Sequence, residues 1–181
     1  MLCFTSCSSC KKEINALPEA TQTGKNTFGC LIDGQAWIPS PSGSGAMGSK
    51  PISGGYMNAP TGAPSSYGNN NVWVNAYNGS EVISLYIRNV NKTGTYPLNF
   101  NTQPAPANLY PQNYAGFTRY NNASGGDYFM TTSNYTGTVE ITRADTVSKI
   151  LAGRFSFVGI NNMGETISVT DGRFDLNQLT R

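Results

Sequence analysis

The sequence predicts an all-β fold, an antiparallel β-sandwich or flattened β-barrel of about nine to ten strands with a disordered N-terminal tether. Apolar and polar residues alternate in many short runs, which is typical of strands that bury one face. Turn residues, mainly Gly, Asn, Pro and Asp, separate these runs at intervals of about ten residues. Short connections between successive strands favour antiparallel pairing.

The last quarter of the chain, 137–176, has the clearest strand pattern. In each of its three runs, every second residue is apolar and is expected to face the core. The polar segment Asn161–Gly164 predicts a hairpin between the second and third runs. In the third run the apolar phase changes between Val169 and Phe174. Because a one-residue slip would turn the apolar set to solvent, an extra residue must be absorbed at Asp171-Gly172. We expect a β-bulge with Gly in the left-handed region there, or else a tight turn that starts a new strand.

The earlier elements follow from their turn residues. Asp33-Gly34 and Asn78-Gly79 each lie between two apolar runs and predict hairpins. Pro97 restricts its run to an edge strand or a strand start. The segment 40–71 is rich in Gly, Pro, Ser and Asn and is predicted to be a long irregular loop, either a surface loop or a binding lid.

Composition excludes several classes of function. The 181 residues fit one domain with a tail, and we place a single β domain at 27–181 after a segment at 1–26. A net charge of +2 gives no electrostatic basis for nucleic-acid binding. The chain has no His, which removes the commonest general base and the commonest zinc ligand. We therefore predict a protein that is not an enzyme and needs no cofactor; a carboxylate hydrolase using Asp171 with Glu140 or Asp127 is the remaining catalytic alternative.

The segment 1–26 is predicted to be the remnant of a lipoprotein signal followed by a flexible tether. Phe4-Thr5-Ser6-Cys7 resembles a lipobox, in which small residues precede the Cys that is acylated; Cys10 is the alternative. The charged and most of the apolar signal region are missing, so Met1 is interpreted as an internal Met. Residues 11–26 are polar and lack apolar periodicity, as tethers do.

The start and end of the predicted domain carry a family resemblance. Asn26-Thr27-Phe28-Gly29-Cys30, preceded by Cys10-Lys11-Lys12, and Asp171-Gly172-Arg173-Phe174-Asp175 near the end resemble uncharacterised surface lipoproteins of Bacteroidetes-type bacteria. The resemblance implies an all-β fold, a lipid anchor in the membrane, and a location at the bacterial outer membrane or cell surface. It implies no activity.

Aromatic residues beside Asn- and Gly-rich segments provide the candidate binding residues. Rings stack on the C–H faces of sugars while amide side chains bond their hydroxyl groups. Half-buried strands also favour Tyr, so the same pattern has a purely structural explanation. The candidates are Tyr56, Tyr67, Trp73, Tyr77, Tyr114 and Tyr120, with Tyr110 and Tyr128 in similar settings.

Two further groups were considered as sites. Asp171, Asp175 and Asn177 present closely spaced oxygen ligands of the kind Ca²⁺ prefers, although they match no EF-hand pattern. Cys30 lies in a predicted strand and is expected to be a buried free thiol.

These observations predict an envelope lipoprotein that is not an enzyme and that binds a ligand, most plausibly a glycan, at the cell surface. The alternatives are a structural or protein-interaction module of an envelope assembly, with an envelope protein as its partner, and a barrel that transports a small apolar molecule in its interior.

Overall fold

The computed structural model describes residues 16–40, 50–59, 61–63, 65–100, 112–121 and 125–177. These residues form eleven β-strands and a single 3₁₀ turn at Ser65–Tyr67. The strands are β1 (Thr27–Ile32), β2 (Gln35–Trp37), β3 (Ile52–Met57), β4 (Asn71–Asn78), β5 (Glu81–Ile87), β6 (Gly94–Leu98), β7 (Tyr114–Arg119), β8 (Asp127–Met130), β9 (Gly137–Asp145), β10 (Ile150–Ile160) and β11 (Thr166–Leu176).

All of these strands belong to one antiparallel sheet with the order β2-β1-β11-β10-β8-β7-β5-β4-β3. A branch leaves this path at the long strand β10, which pairs with β9 over most of its length and meets β8 only at Ile160. Strand β6 completes the branch by pairing with β9, so Pro97 lies on an edge strand as predicted.

The sheet curls into a half-barrel around one core. Every strand contributes a buried residue to the same apolar cluster: Phe28, Trp37, Tyr56, Val72, Ile83, Leu98, Phe117, Phe129, Val139, Phe155 and Phe174. The curl brings distant parts of the sheet together, because a Cβ at Gly54 in β3 would lie only 2.7 Å from Leu176 Cδ1 in β11. The predicted fold class is confirmed, with eleven strands in the described residues instead of nine or ten.

The predicted hairpins are confirmed. Asp33 and Gly34 both have positive φ (48° and 82°), which fits the type I′ geometry that matches strand twist. Gly79 and Gly164 take positive φ in the β4–β5 and β10–β11 turns. Cys30 is fully buried as expected, and burial raises the pKa of its thiol.

The prediction of irregular structure across 40–71 was wrong for its middle, where β3 pairs with β4 over six residues. Gly54 and Gly55 remove the apolar alternation by which a strand is recognised in a sequence. Gly54 is required because its backbone packs against Leu176 and against the carbonyl oxygen of Trp73, 3.1 Å from where a Cβ would lie.

Residues 16–26, here called the N-terminal strap, lie against the outer face of the sheet. Leu17 is buried, and Pro18 packs over Gly29, where a Cβ would lie 2.7 Å from Pro18 Cδ. Arg143 Nη1 donates to the Gln22 carbonyl oxygen at 2.7 Å. The sequence assigned these residues to the flexible tether. Residues 1–15, with the lipidation candidates Cys7 and Cys10, lie outside the described residues.

Candidate functional site

Strand β4 presents a row of polar and aromatic side chains on the outer face of the half-barrel. Val72, Val74 and Ala76 are fully buried in the core. The intervening Trp73, Asn75 and Tyr77 therefore face outward, and all three are half-buried. Successive outward residues on a strand are about 7 Å apart, so the row spans about 13 Å.

The neighbouring strands extend this row sideways. Ser84 of β5 is the register partner of Asn75. Tyr77 pairs with Val82 of β5, Val82 pairs with Thr118 of β7, and Thr118 pairs with Tyr128 of β8, so all four lie in one row across the sheet. The rings of Tyr120 and Tyr128 meet edge to face with centroids 6.2 Å apart. Burial raises the pKa of Tyr120, and the phenol groups of Tyr128 and Tyr77 raise it further. We call Trp73, Asn75, Tyr77, Ser84, Tyr120 and Tyr128 the aromatic face.

Two contacts at the β4–β5 turn hold Tyr120 in place. The Tyr120 backbone N–H donates to the Ser80 carbonyl oxygen at 2.8 Å. Its neighbour Arg119 donates from Nε to Glu81 Oε1 at 3.0 Å, while Trp37 Nε1 donates to the other oxygen of Glu81 at 2.8 Å. These contacts fix the backbone from which the Tyr120 side chain projects.

The aromatic face combines the groups that recognise sugars. Tyr120 is 48% exposed, so about half of this residue is open to solvent. Asn75 and Ser84 supply an amide and a hydroxyl group within the same surface. A pyranose could stack on a ring while its hydroxyl groups bond to these polar side chains.

A second aromatic cluster, which we call the tyrosine clasp, consists of Tyr67, Tyr86, Arg88 and Tyr114. The hydroxyl oxygens of Tyr67 and Tyr86 lie 2.5 Å apart, and the rings of Tyr86 and Tyr114 stack at 5.7 Å. The Arg88 guanidinium lies 4.3 Å from the Tyr67 ring centroid. Tyr67 is only 2% exposed and Tyr86 5%. Burial, followed by the hydrogen bond between the Tyr86 and Tyr67 hydroxyl groups, raises the pKa of Tyr86. The clasp fastens the 3₁₀ turn to the sheet.

The six predicted binding residues therefore fall into three places. Trp73, Tyr77 and Tyr120 lie on the aromatic face. Tyr67 and Tyr114 belong to the clasp, where Tyr67 is buried and offers no surface to a ligand. Tyr56 lies in the core at 7% exposure, which corrects its assignment to a binding site.

The clasp residue Tyr86 was not singled out from the sequence. It faces outward, because its neighbours Leu85 and Ile87 are core residues. The alternation of apolar residues along β5 could therefore have predicted its outward position. Tyr110 lies outside the described residues.

The geometry of Asp175 does not favour the predicted calcium ligand set. Both of its carboxylate oxygens accept hydrogen bonds from the N-terminal strap, so donors already surround them. The side-chain oxygen of Asn177 accepts from Asn26 Nδ2 at 2.8 Å. Within the described ranges no group of three His, Cys, Asp or Glu residues could hold a metal ion. The third candidate, Asp171, lines a separate cleft together with Glu140.

Comparison with known families gives one match. Residues 58–175, well over half of the chain, match the family described as "Domain of unknown function (DUF6252)". The chain belongs to the DUF6252 family. No curated protein and no solved structure matches it.

The DUF6252 match runs from the residue after β3 to Asp175 in β11. It therefore contains the whole aromatic face, whereas the N-terminal strap and β1 to β3 precede it. No helix among the described residues is both long and apolar enough to cross a membrane.

Proposed function

We propose that this DUF6252 protein is an envelope lipoprotein without catalytic activity, and that its domain binds a glycan through the aromatic face. The observation that carries the proposal is the register row that runs from Tyr77 to Tyr128 on the outer face, with the Tyr120 ring against Tyr128 and with Asn75 and Ser84 beside Tyr77. Aromatic side chains grouped with amide and hydroxyl groups are the chemistry that sugars require.

Packing in the interior supports a ligand site on the outer face. Large side chains from all eleven described strands fill the space enclosed by the half-barrel, as in small barrels whose interior holds side chains alone. An apolar molecule carried inside would have to displace them. The exposed ring of Tyr120 needs no such rearrangement.

The envelope location rests on sequence alone. Phe4-Thr5-Ser6-Cys7 supplies the lipobox-like segment, with the anchor on Cys7 or on Cys10. A lipid on either Cys would hold the domain at the bacterial outer membrane or cell surface.

The test is direct measurement of oligosaccharide binding by calorimetry, with a panel of neutral oligosaccharides. We expect at least one to bind, and Tyr120→Ala or Tyr77→Ala to weaken that binding about tenfold, because each removes a stacking ring. Tyr135→Ala is the matched control, since Tyr135 is a half-buried tyrosine in the turn between β8 and β9 and is not part of the aromatic face.

Loss of binding in Tyr120→Ala and Tyr77→Ala with retention in Tyr135→Ala would establish the site. A protein that binds no member of the panel, or that binds equally well in all three variants, would contradict the proposal. That result would favour the alternative of a protein-interaction module.

A further inference from the structure

A charged cleft of about 300 Å³ lies on the outer face of β9, β10 and β11, away from the aromatic face. Its charged lining consists of Glu140, Arg154, Asp171 and Arg173, and Ser156 adds a hydroxyl group. Ala20 of the N-terminal strap forms one wall, and a second cavity of about 240 Å³ beyond it shares Glu140 and Arg154. The volume is at the lower end of the range for small-molecule sites.

Strand register sets the order of the charges. Glu140, Arg154 and Arg173 are direct partners across β9, β10 and β11, and their sequence neighbours Val139, Phe155 and Phe174 are buried in the core. The three charged side chains therefore stand side by side on the outer face. Two arginines directly opposite each other repel and destabilise the sheet.

The β-bulge of β11 adds the fourth charge. Asp171 has a φ of 51°, and its carbonyl oxygen accepts from Arg173 Nε at 3.1 Å. Arg173 Nη1 also donates to the Pro18 carbonyl oxygen of the strap at 3.4 Å. Arg173 is thus positioned by two backbone carbonyl groups and not by a carboxylate.

Arg154 and Glu140 carry the other two charges of interest at the cleft. Among the residues that the structure describes, the side chains of Arg154 and Glu140 form no hydrogen bond or ion pair, although they are register partners. Both are exposed at the cleft. The cleft therefore presents two positive groups together with two carboxylates, and the side chains of Arg154 and Glu140 keep their hydrogen-bonding capacity for a ligand.

We infer that this cleft binds a small zwitterion, a free α-amino acid. The guanidinium groups of Arg154 and Arg173 would take its carboxylate, since Arg forms paired hydrogen bonds with that planar group. Glu140 would take the ammonium group. Adjacent strands are about 4.8 Å apart, so the long side chains of Glu140 and Arg154 can reach the two charges of one small molecule. This site is separate from the aromatic face and does not depend on glycan binding.

The test is calorimetric titration of the full chain with each of the standard amino acids at millimolar concentrations. We expect at least one to bind. We expect its N-acetyl and C-amide derivatives each to bind at least about tenfold more weakly, because each lacks one charge-assisted contact. Binding of the N-acetyl form as tightly as the free amino acid would show a site for anions and overturn the zwitterion assignment. If none of the standard amino acids binds, the assignment is overturned as well.

Two variants locate the site. Arg154→Gln and Glu140→Gln should each weaken binding about tenfold or more. Both residues are exposed, so melting temperatures without ligand should stay close to that of the unaltered protein. Lys92→Gln, which removes an exposed positive charge in the turn before β6, should bind normally. Equal binding by all three variants would overturn the assignment. If the protein binds no oligosaccharide, the glycan proposal fails, but the amino-acid titration still tests the charged cleft independently.

Discussion

A single carboxylate joins two distant parts of the chain. Asp175 near the end of β11 is 1% exposed and accepts hydrogen bonds from the Thr21 hydroxyl group at 2.6 Å and from the backbone N–H groups of Thr23, Gly24 and Lys25 at 3.0, 2.7 and 3.1 Å. Burial by itself would raise the pKa of Asp175, but the four donors outweigh it and lower the pKa below its usual value. Asp175 therefore holds the N-terminal strap as an ionised group.

Replacing Asp175 by Asn should lower the free energy of unfolding by about 2 kcal/mol or more near neutral pH, because an amide NH₂ would face backbone N–H donors. The lowered pKa also predicts a pH dependence. The contribution of Asp175 is fully present above the pKa of the unfolded state, about 3.9, and is lost as the pH falls through the folded-state value. Urea unfolding near pH 7 and at about pH 3 should show a smaller acid-induced loss in Asp175→Asn.

Asp145 provides the internal control for that comparison. The Ser148 backbone N–H and the Arg143 side chain lower its pKa too, and it is present in both proteins. The difference between their pH profiles therefore reports Asp175. Identical pH profiles for the two proteins would show that these hydrogen bonds do not lower the pKa of Asp175.

At the scale of the elements, the bulge in β11 decides which residues reach the core. Thr170 and Arg173 pair with Leu31 and Gly29 on β1, so two residues of β11 lie opposite one of β1. The extra residue changes the phase, and Ile167, Val169, Phe174 and Leu176 all become buried. The predicted bulge is confirmed, but Asp171 and not Gly172 takes the positive φ. Gly172 is required instead by the Phe155 ring, which lies 2.6 Å from the position of a Cβ.

Two adjacent substitutions in the bulge should therefore have different effects on the free energy of unfolding. Gly172→Ala should destabilise the protein by about 2 kcal/mol, since the new methyl group would force the buried Phe155 ring to move. Asp171→Gly should leave stability unchanged or slightly higher, because a left-handed backbone is strained for a residue with a Cβ. Urea unfolding of both variants measures the difference. A Gly172→Ala protein as stable as the parent would show that the ring does not occupy that space.

At the scale of the whole molecule, the strap determines how far the domain can lie from a lipid anchor. Residues from Ala16 onward lie against the sheet, and Cys7 is nine residues before Ala16 (16 minus 7). A fully extended chain spans at most about 3.5 Å per residue, so the proposed anchor on Cys7 would keep the start of the strap within about 30 Å of the membrane surface. The charged cleft, whose wall includes Ala20, would then lie close to that surface.

The proposed anchor predicts a difference between two cysteines. In the protein expressed from its native locus, metabolic labelling with an alkyne fatty acid should mark the parent and Cys10→Ser. It should not mark Cys7→Ser, because acylation requires the thiol that follows the small residues Thr5 and Ser6. Labelling that is lost only in Cys10→Ser would move the anchor to that residue. An unlabelled parent protein would contradict the lipoprotein proposal.

The local features of this fold could be predicted from the sequence because each depends on a few neighbouring residues. Alternation identified the buried faces of β10 and β11, and Asp33-Gly34 and Asn78-Gly79 marked the β1–β2 and β4–β5 hairpins through the conformations these residues tolerate. Strand β3 was missed because its two glycines leave no alternation to detect. The close approach that requires Gly54 comes from Leu176, more than a hundred residues away.

By itself, the sequence determined the fold class, most strands and the turns. Only the tertiary structure decided which outward residues meet. It joined Tyr77 to Tyr120 and Tyr128, placed Glu140, Arg154 and Arg173 in one row, and buried Tyr56 and Tyr67. The physical reason is that side-chain direction follows from the local backbone, whereas the neighbours of a strand are set by the pairing of distant segments around a shared core.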